Sequence, residues 1–377
     1  MSRWIVLAVC GIALQLGAGQ AAAVGFGALG DSLTDEYLVD DPNITHTDLP
    51  AFNWVQLLAE LRGVDFGEFS AEKRKEPRNA GYAYNWGRAG GTARSGPIFI
   101  AAGGLDVQTF GSDNTPGLLP DITNGNVEIV FIGAGHNDYF YRDYLANGFE
   151  QIMGNDAELF ILDDSDFLIF EQQVLDGILN SVDAILAANE NAKVVVASLP
   201  PDTLLSISYI VDAMRQLDGR LETELATRDQ ARVKLIDLYA WESERYDGGD
   251  QFQFGGYEMA RDSKASEEQL TPEGTDSAGS EPCDSIGRCA TLDYALNLVC
   301  HDEPGGHPGT LMQGLIANEV IAAVNPWLDS EIAPFTDEEL LVAAVPEPGS
   351  TLLMGTALGV LAALRAAKTR RRGRSAA

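Results

Sequence analysis

The chain has 377 residues, 45% of them hydrophobic, with 39 Gly and 16 Pro, which is enough apolar material for one large globular domain or two small ones and excludes a wholly disordered chain. Its 25 Lys and Arg stand against 56 Asp and Glu, a formal net charge of −31. Nucleic-acid binding draws its affinity from clustered basic side chains, so this charge argues against nucleic acid as a partner. The basic residues also gather at the extreme C-terminus (Arg365, Lys368, Arg370, Arg371, Arg372, Arg374), which leaves the middle of the chain more acidic than the whole. Such a surface resists aggregation and repels anionic polymers.

In chain order, Met1-Ser2-Arg3 precedes an apolar run from Trp4 to Leu16 and then Ala21-Ala22-Ala23. A basic start, an apolar core too short for a membrane span and a small-residue cleavage site predict a secretory signal peptide over residues 1–23. Cys10 follows Val9 rather than a small residue, which argues against a lipoprotein anchor. Short, nearly continuous apolar runs at Val24 to Leu29, Val127 to Gly133, Lys193 to Leu199 and Val233 to Leu238 predict strands covered on both faces. Helical patterns fall between and after them, at Ala51 to Leu61, Phe170 to Ala188, Ile207 to Leu225 and Met312 to Val324. Strands alternating with helices imply an α/β fold, a parallel sheet with helices on both faces. Polar, Gly-rich stretches at Asp35 to Pro50, Gly67 to Ala80 and Asp247 to Glu281 read as long loops, the second holding the basic cluster Lys73 to Arg78. No internal repeat is visible, and one domain over 24–325 followed by a linker over 326–345 is the simplest division.

The other end reads VPEPGS (Val345 to Ser350), an apolar run from Thr351 to Leu364, then the arginine cluster. The run is shorter than the ~20 residues of an unstrained spanning helix, and positive charges after it stay on the cytoplasmic side, so it reads as a stop-transfer tail. Pro-Glu-Pro, a short transmembrane helix and an arginine cluster, in that order over 346–377, resemble the PEP-CTERM sorting signal of exported bacterial proteins. The resemblance implies processing near Pro346 to Pro348 by an exosortase-type enzyme, transient membrane association through the tail, and release or attachment at the cell surface. A permanent single-span anchor is the alternative.

The exported part holds Cys283, Cys289 and Cys300, and an odd number suggests one pair and one free thiol in an oxidising compartment. Cys283 and Cys289 could close a short loop. A zinc site would want a fourth ligand at a recognisable spacing, and CxxC is absent, so neither metal nor other cofactor is expected.

An open parallel sheet places its ligand site beyond the carboxyl ends of its strands. The first strand ends in Gly30-Asp31-Ser32-Leu33-Thr34. A serine in such a turn can serve as nucleophile and, through its own N–H, as oxyanion donor; taken alone, it can equally be a helix cap. GxSxG occurs nowhere, which disfavours an ordinary α/β-hydrolase elbow. Only 4 histidines can supply a base: His46, His136, His301 and His307. The last two flank Asp302 and Glu303, and a carboxylate beside an imidazole fixes its tautomer and stabilises its cation.

Four blocks in order, GDSLTD at Gly30 to Asp35, NWGRAG at Asn85 to Gly90, Gly-His-Asn-Asp at Gly135 to Asp138, and His307-Pro308, resemble the GDSL, or SGNH, hydrolase family, with VASLPP at Val196 to Pro201 similar to its lipase and acylhydrolase branch. The resemblance implies a three-layer α/β/α sandwich, flavodoxin-like, with a central, mainly parallel sheet. It makes Ser32 the nucleophile, His307 the base, and the N–H groups of Ser32 and Gly90 with the Asn137 side-chain amide the oxyanion hole. Asp31 and Asp138 then support the turns that present Ser32 and Asn137. The family usually places its acid three residues before the histidine, where this chain has Pro304. An insertion at Pro304-Gly305 would restore the role of Asp302, which is preferred over Glu303. His301 is the less favoured base, lacking the His-Pro step.

The resulting expectation is an exported serine esterase acting on a small-molecule or polysaccharide ester. The displaced acid motivates an alternative, a catalytically weak or inactive polysaccharide-binding surface protein on the same scaffold. An acyltransferase using the same site is a third.

Overall fold

The computed structural model describes residues 24–31, 33–35, 52–70, 81–88, 90–94, 104–112, 115–139, 164–199, 208–238, 240–241, 251–254, 257–260, 299–300, 307–308 and 310–344. The signal-peptide region, the C-terminal tail, His46, His301, Cys283, Cys289 and the Lys73 to Arg78 cluster lie outside them, as do Ser32, Asp302 and Glu303.

The four apolar runs are the four strands of a parallel sheet: β1 (Phe26–Gly30), β2 (Ile129–Gly133), β3 (Lys193–Ala197) and β4 (Val233–Ile236), in the spatial order β1-β2-β3-β4. Side chains alternate across a strand, and here both sets are buried. Phe26, Ala28, Ile129, Phe131, Val195 and Ile236 join one core cluster, while Leu29, Val130, Ile132, Val194, Val196 and Val233 join another on the opposite face. That double burial explains why the strands read as continuous apolar runs.

Against the first face pack α1 (Trp54–Arg62) and α6 (Thr310–Val324) through Trp54, Leu57, Leu58, Ile316 and Val320. Against the second pack α2 (Leu105–Phe110), α3 (Leu119–Thr123), α4 (Asp164–Ala188) and α5 (Ser208–Leu225). The result is the expected three-layer α/β/α arrangement. The α1 helix starts with a capping box: Asn53 Oδ1 accepts from Gln56 N and Gln56 Oε1 accepts from Asn53 N. It ends at Gly63 in the left-handed region (φ 67), with Arg62 in its last turn.

The segment after Trp327, expected as a linker, carries a last helix, α7 (Asp337–Ala344), whose Leu340 is fully buried against α6. A Cβ on Gly314 of α6 would stand 2.2 Å from Leu340 Cδ2, so that glycine allows the close approach. Asn318 of α6 pins the connecting chain by accepting from Phe335 N and donating to Phe335 O. No helix among the described residues is long and apolar enough to cross a membrane, and the tail in which a spanning helix is expected lies outside them.

Candidate active site

The carboxyl end of β1 turns sharply. Asp31 O accepts from both Thr34 N and Asp35 N, and Asp31 Oδ1 accepts from Leu33 N at 3.0 Å, so the chain leaving the strand is drawn back onto Asp31. A Cβ on Gly30 would lie 2.3 Å from Gly133 O, so the turn can sit this close to β2 only with glycine there. Asp31 is 1% exposed; burial pushes its carboxyl up to about 6, against the pull of the nearby His136 charge and the Leu33 N–H.

Three side chains that the sequence motifs do not single out hold this turn. Gln108 of α2 accepts from Gly30 N and donates to Gly30 O, both at 2.7 Å. Asn53, the cap of α1, donates through Nδ2 to Thr34 O and Asp35 O at 2.9 Å. Gln313 of α6 accepts from Trp54 N at 3.1 Å and makes a longer contact from Nε2 to Leu33 O at 3.5 Å. Of these, only Asn53 left a local signal, its capping box.

The second block runs alongside. Asn85 Nδ2 donates to Thr34 O, Asn85 Oδ1 accepts from Gly87 N, and Arg88 N donates to Gly30 O. The chain then reaches Gly90, whose φ of 76 lies in the region that favours glycine. Gly91 N closes that turn on Arg88 O.

The third block follows β2. Gly135 (φ 121) leads into a helical turn at 136–139 that presents Asn137 and Asp138. Asn137 is 9% exposed, and its Nδ2 donates to Gly91 O at 2.9 Å, which brings Asn137 and the Gly90 turn side by side. An amide nitrogen has two hydrogens, and this bond uses one. Asp138 is buried, its Oδ2 accepting from Ala93 N at 2.7 Å and its Oδ1 from Arg94 Nε at 3.0 Å. Burial raises its pKa, and the Arg94 guanidinium with the Ala93 and Arg94 N–H groups pulls it back down.

His307 and Pro308 form a short strand paired antiparallel with Val299 and Cys300, so that His307 lies opposite Cys300 in register. The chain enters α6 at Thr310, whose Oγ1 accepts from Phe52 N, and Gln313 one turn later contacts Leu33 O. These bonds tie the start of α6 to Phe52 and Leu33. A cavity at the strand ends is lined by Asp31, Leu33, Thr34, His136, Ser198 and Leu199, over an apolar floor that includes Trp54, Phe131, Leu238 and Ile316.

The structure thus brings Asp31, Gly90, Asn137 and Asp138 to one edge of the sheet. That edge lies beyond the carboxyl ends of β1 and β2, where a ligand is expected in an open parallel sheet. Compared with known families, residues 26–253 match the GDSL-like Lipase/Acylhydrolase family over more than half the chain. The chain belongs to this family. The matched stretch contains the first three blocks and ends before His307. No curated protein matches the chain.

Among solved structures, the lipase Lip_vut3 from a goat rumen metagenome is 14% identical, with 59% of this chain and 86% of that one covered at a TM-score of 0.36. A carbohydrate esterase of family 3 from Talaromyces cellulolyticus is 17% identical, with coverage of 56% and 77% and a TM-score of 0.30. A member of the lipolytic G-D-S-L family from Veillonella parvula is 14% identical, with coverage of 61% and 86% and a TM-score of 0.30. Family membership makes this chain an ester hydrolase of the lipase and acylhydrolase type.

Proposed function

We propose that the protein is an exported serine esterase that forms an acyl-enzyme on Ser32. The observation that carries this reading is the convergence of three turns, at Asp31–Leu33, Gly90 and Asn137, on one edge of the sheet, joined by the Asn137–Gly91 and Asn85–Thr34 bonds. His307 removes the Ser32 proton as the hydroxyl attacks the ester carbonyl. The oxyanion that forms accepts from the N–H groups of Ser32 and Gly90 and from the second amide hydrogen of Asn137. His307 then protonates the leaving alcohol and activates water to release the acid. Asp302, with Glu303 as the alternative, orients the imidazole and stabilises its cation. The apolar floor of the adjoining cavity suits the acyl portion of an ester, of a small molecule or a polysaccharide.

The same proposal covers the two ends of the chain. Residues 1–23 direct export, the domain over 24–325 works outside the cell, and the PEP-CTERM-like tail at 346–377 is cut by an exosortase-type enzyme after brief membrane association. The supports are the order of elements in the tail and the acidity of the part between the two ends.

The test is turnover of short-chain nitrophenyl esters. Ser32→Ala removes it, and Asn137→Ala, deleting one oxyanion donor, lowers kcat by roughly 10²–10³-fold. Unchanged turnover in Ser32→Ala defeats the proposal. Absence of turnover in folded wild-type protein favours the inactive polysaccharide-binding scaffold, and ester products formed with a polyol acceptor favour acyl transfer.

A further inference from the structure

We infer that Arg94 and Gly177 are positioning residues that set the separation of the two oxyanion donors outside the nucleophile turn, Gly90 N–H and the Asn137 amide. The inference rests on the ester-hydrolase reading of the site. The Gly90 turn and the Asn137 turn come from different parts of the chain, 46 residues apart at their shared Asn137–Gly91 bond. One hydrogen bond leaves such turns free to pivot about it.

The pivot is blocked one step further along both segments. Asp138, the residue after Asn137, draws the other segment in by accepting from Ala93 N at 2.7 Å and Arg94 Nε at 3.0 Å, with a longer contact from Arg94 N at 3.4 Å. The Arg94 guanidinium is held in turn by the ring of Phe170 on α4, 4.4 Å from its centroid. With Asp138 fully shielded from solvent and Arg94 nearly so, the ion pair is not screened as a surface pair would be.

The back of the same segment rests on α4. A Cβ on Gly177 would stand 1.9 Å from Ala93 O and 2.8 Å from Ala93 C, so the Ala93 peptide sits where any other side chain at position 177 would be. Glycine in a helix interior costs about 1 kcal/mol relative to alanine. Gly177 accepts that cost at a point where the oxyanion segment touches the helix. The segment at Gly91–Arg94 is therefore gripped from the front by Asp138 and from behind by Gly177, and Arg94 joins the two.

Gly177→Ala changes no charge and favours helix α4, so any loss falls on the displaced Ala93 peptide. A misplacement of about 1 Å in a catalytic group costs on the order of 10²-fold. Gly177→Ala and Arg94→Met are therefore expected to lower kcat by ~10- to 100-fold with KM nearly unchanged. Arg94→Lys, keeping a charge and a donor, is expected to recover part of that loss. The control is Gly219→Ala on α5, where an added Cβ meets nothing within 4 Å, and its kcat should equal wild type.

A second readout needs no turnover. Amide hydrogen exchange over residues 90–94 should quicken in Gly177→Ala and Arg94→Met while β2 and β3 keep wild-type protection. Wild-type kcat in both variants together with unchanged exchange at 90–94 overturns the inference, as does an equal fall in kcat and rise in KM that Arg94→Lys does not relieve. A wild-type protein whose turnover survives Ser32→Ala overturns the esterase reading instead, and the exchange result still decides whether the clamp exists.

Discussion

Gln108 offers the sharpest test of how the nucleophile turn is held. The edge of β1 away from β2 presents the N–H groups of Phe26, Ala28 and Gly30 in succession. Phe26 N donates to Asp65 O, Ala28 N to Tyr84 O, and at Gly30, where no backbone carbonyl follows, the Gln108 side chain takes over at 2.7 Å. Gln108→Met keeps the length of the side chain and removes both polar ends. Gly30 O retains its bond from Arg88 N, but Gly30 N–H is left buried without an acceptor. An orphaned buried donor costs about 1–3 kcal/mol and the second lost bond about 1 more, giving about 2–4 kcal/mol in total. Urea unfolding followed by tryptophan fluorescence should show that loss with an unchanged m-value. Ester turnover should fall with it, because the proposed nucleophile, Ser32, follows Gly30 by two residues in the sequence. A loss below about 0.5 kcal/mol, the range of substitutions that touch nothing structural, would mean that Gly30 N–H finds another partner and that Gln108 does not hold the turn.

Other outcomes follow from the same geometry. Asn53→Ala deletes the α1 cap and the amide donor to Thr34 O and Asp35 O, and should cost about 2–3 kcal/mol, of which a cap alone contributes about 1. Asn53→Asp keeps the cap but not the donor, so unfolding of the two variants should separate the contributions. Asp218 of α5 accepts from Leu199 N, and burial pushes its carboxyl from 3.8 up to about 8. Because the folded value is raised, the stability it contributes is full below pH ~4 and is lost as pH rises toward about 8. Asp218→Asn should therefore gain stability over wild type at pH 9 and not at pH 4 in urea melts; parallel pH profiles would contradict this. Gly30→Ala should impair folding more than Gly219→Ala, which has open space, as compared by thermal unfolding.

Much of the fold was legible because the sheet is buried on both faces, which writes each strand as a nearly continuous apolar run such as VEIVFIG before Ala134. Helices α4 and α5 were legible from their length and periodic faces. By contrast α2 and α3, of 6 and 5 residues, are too short to show a period. Helix α7 begins with three acids and buries Leu340 as its anchor, so a local reading takes its segment for a linker.

The site divides in the same way. Ser32, Gly90, Asn137 and His307 stand in short motifs, and the match to the family covers all but the last. Gln108, Arg94 and Gln313 owe their roles to partners 78, 44 and 280 residues away. Contacts at that separation exist only after the chain has folded and leave no local pattern.

The central claim is that Ser32 is an activated nucleophile, and covalent labelling tests it without choosing a substrate. The full-length protein is treated with a fluorophosphonate and the modified peptide is mapped by mass spectrometry. One adduct is expected, on Ser32, absent from Ser32→Ala and slowed in His307→Ala. Folded protein that takes no label, or takes it at another serine, would show that Ser32 is not an activated nucleophile.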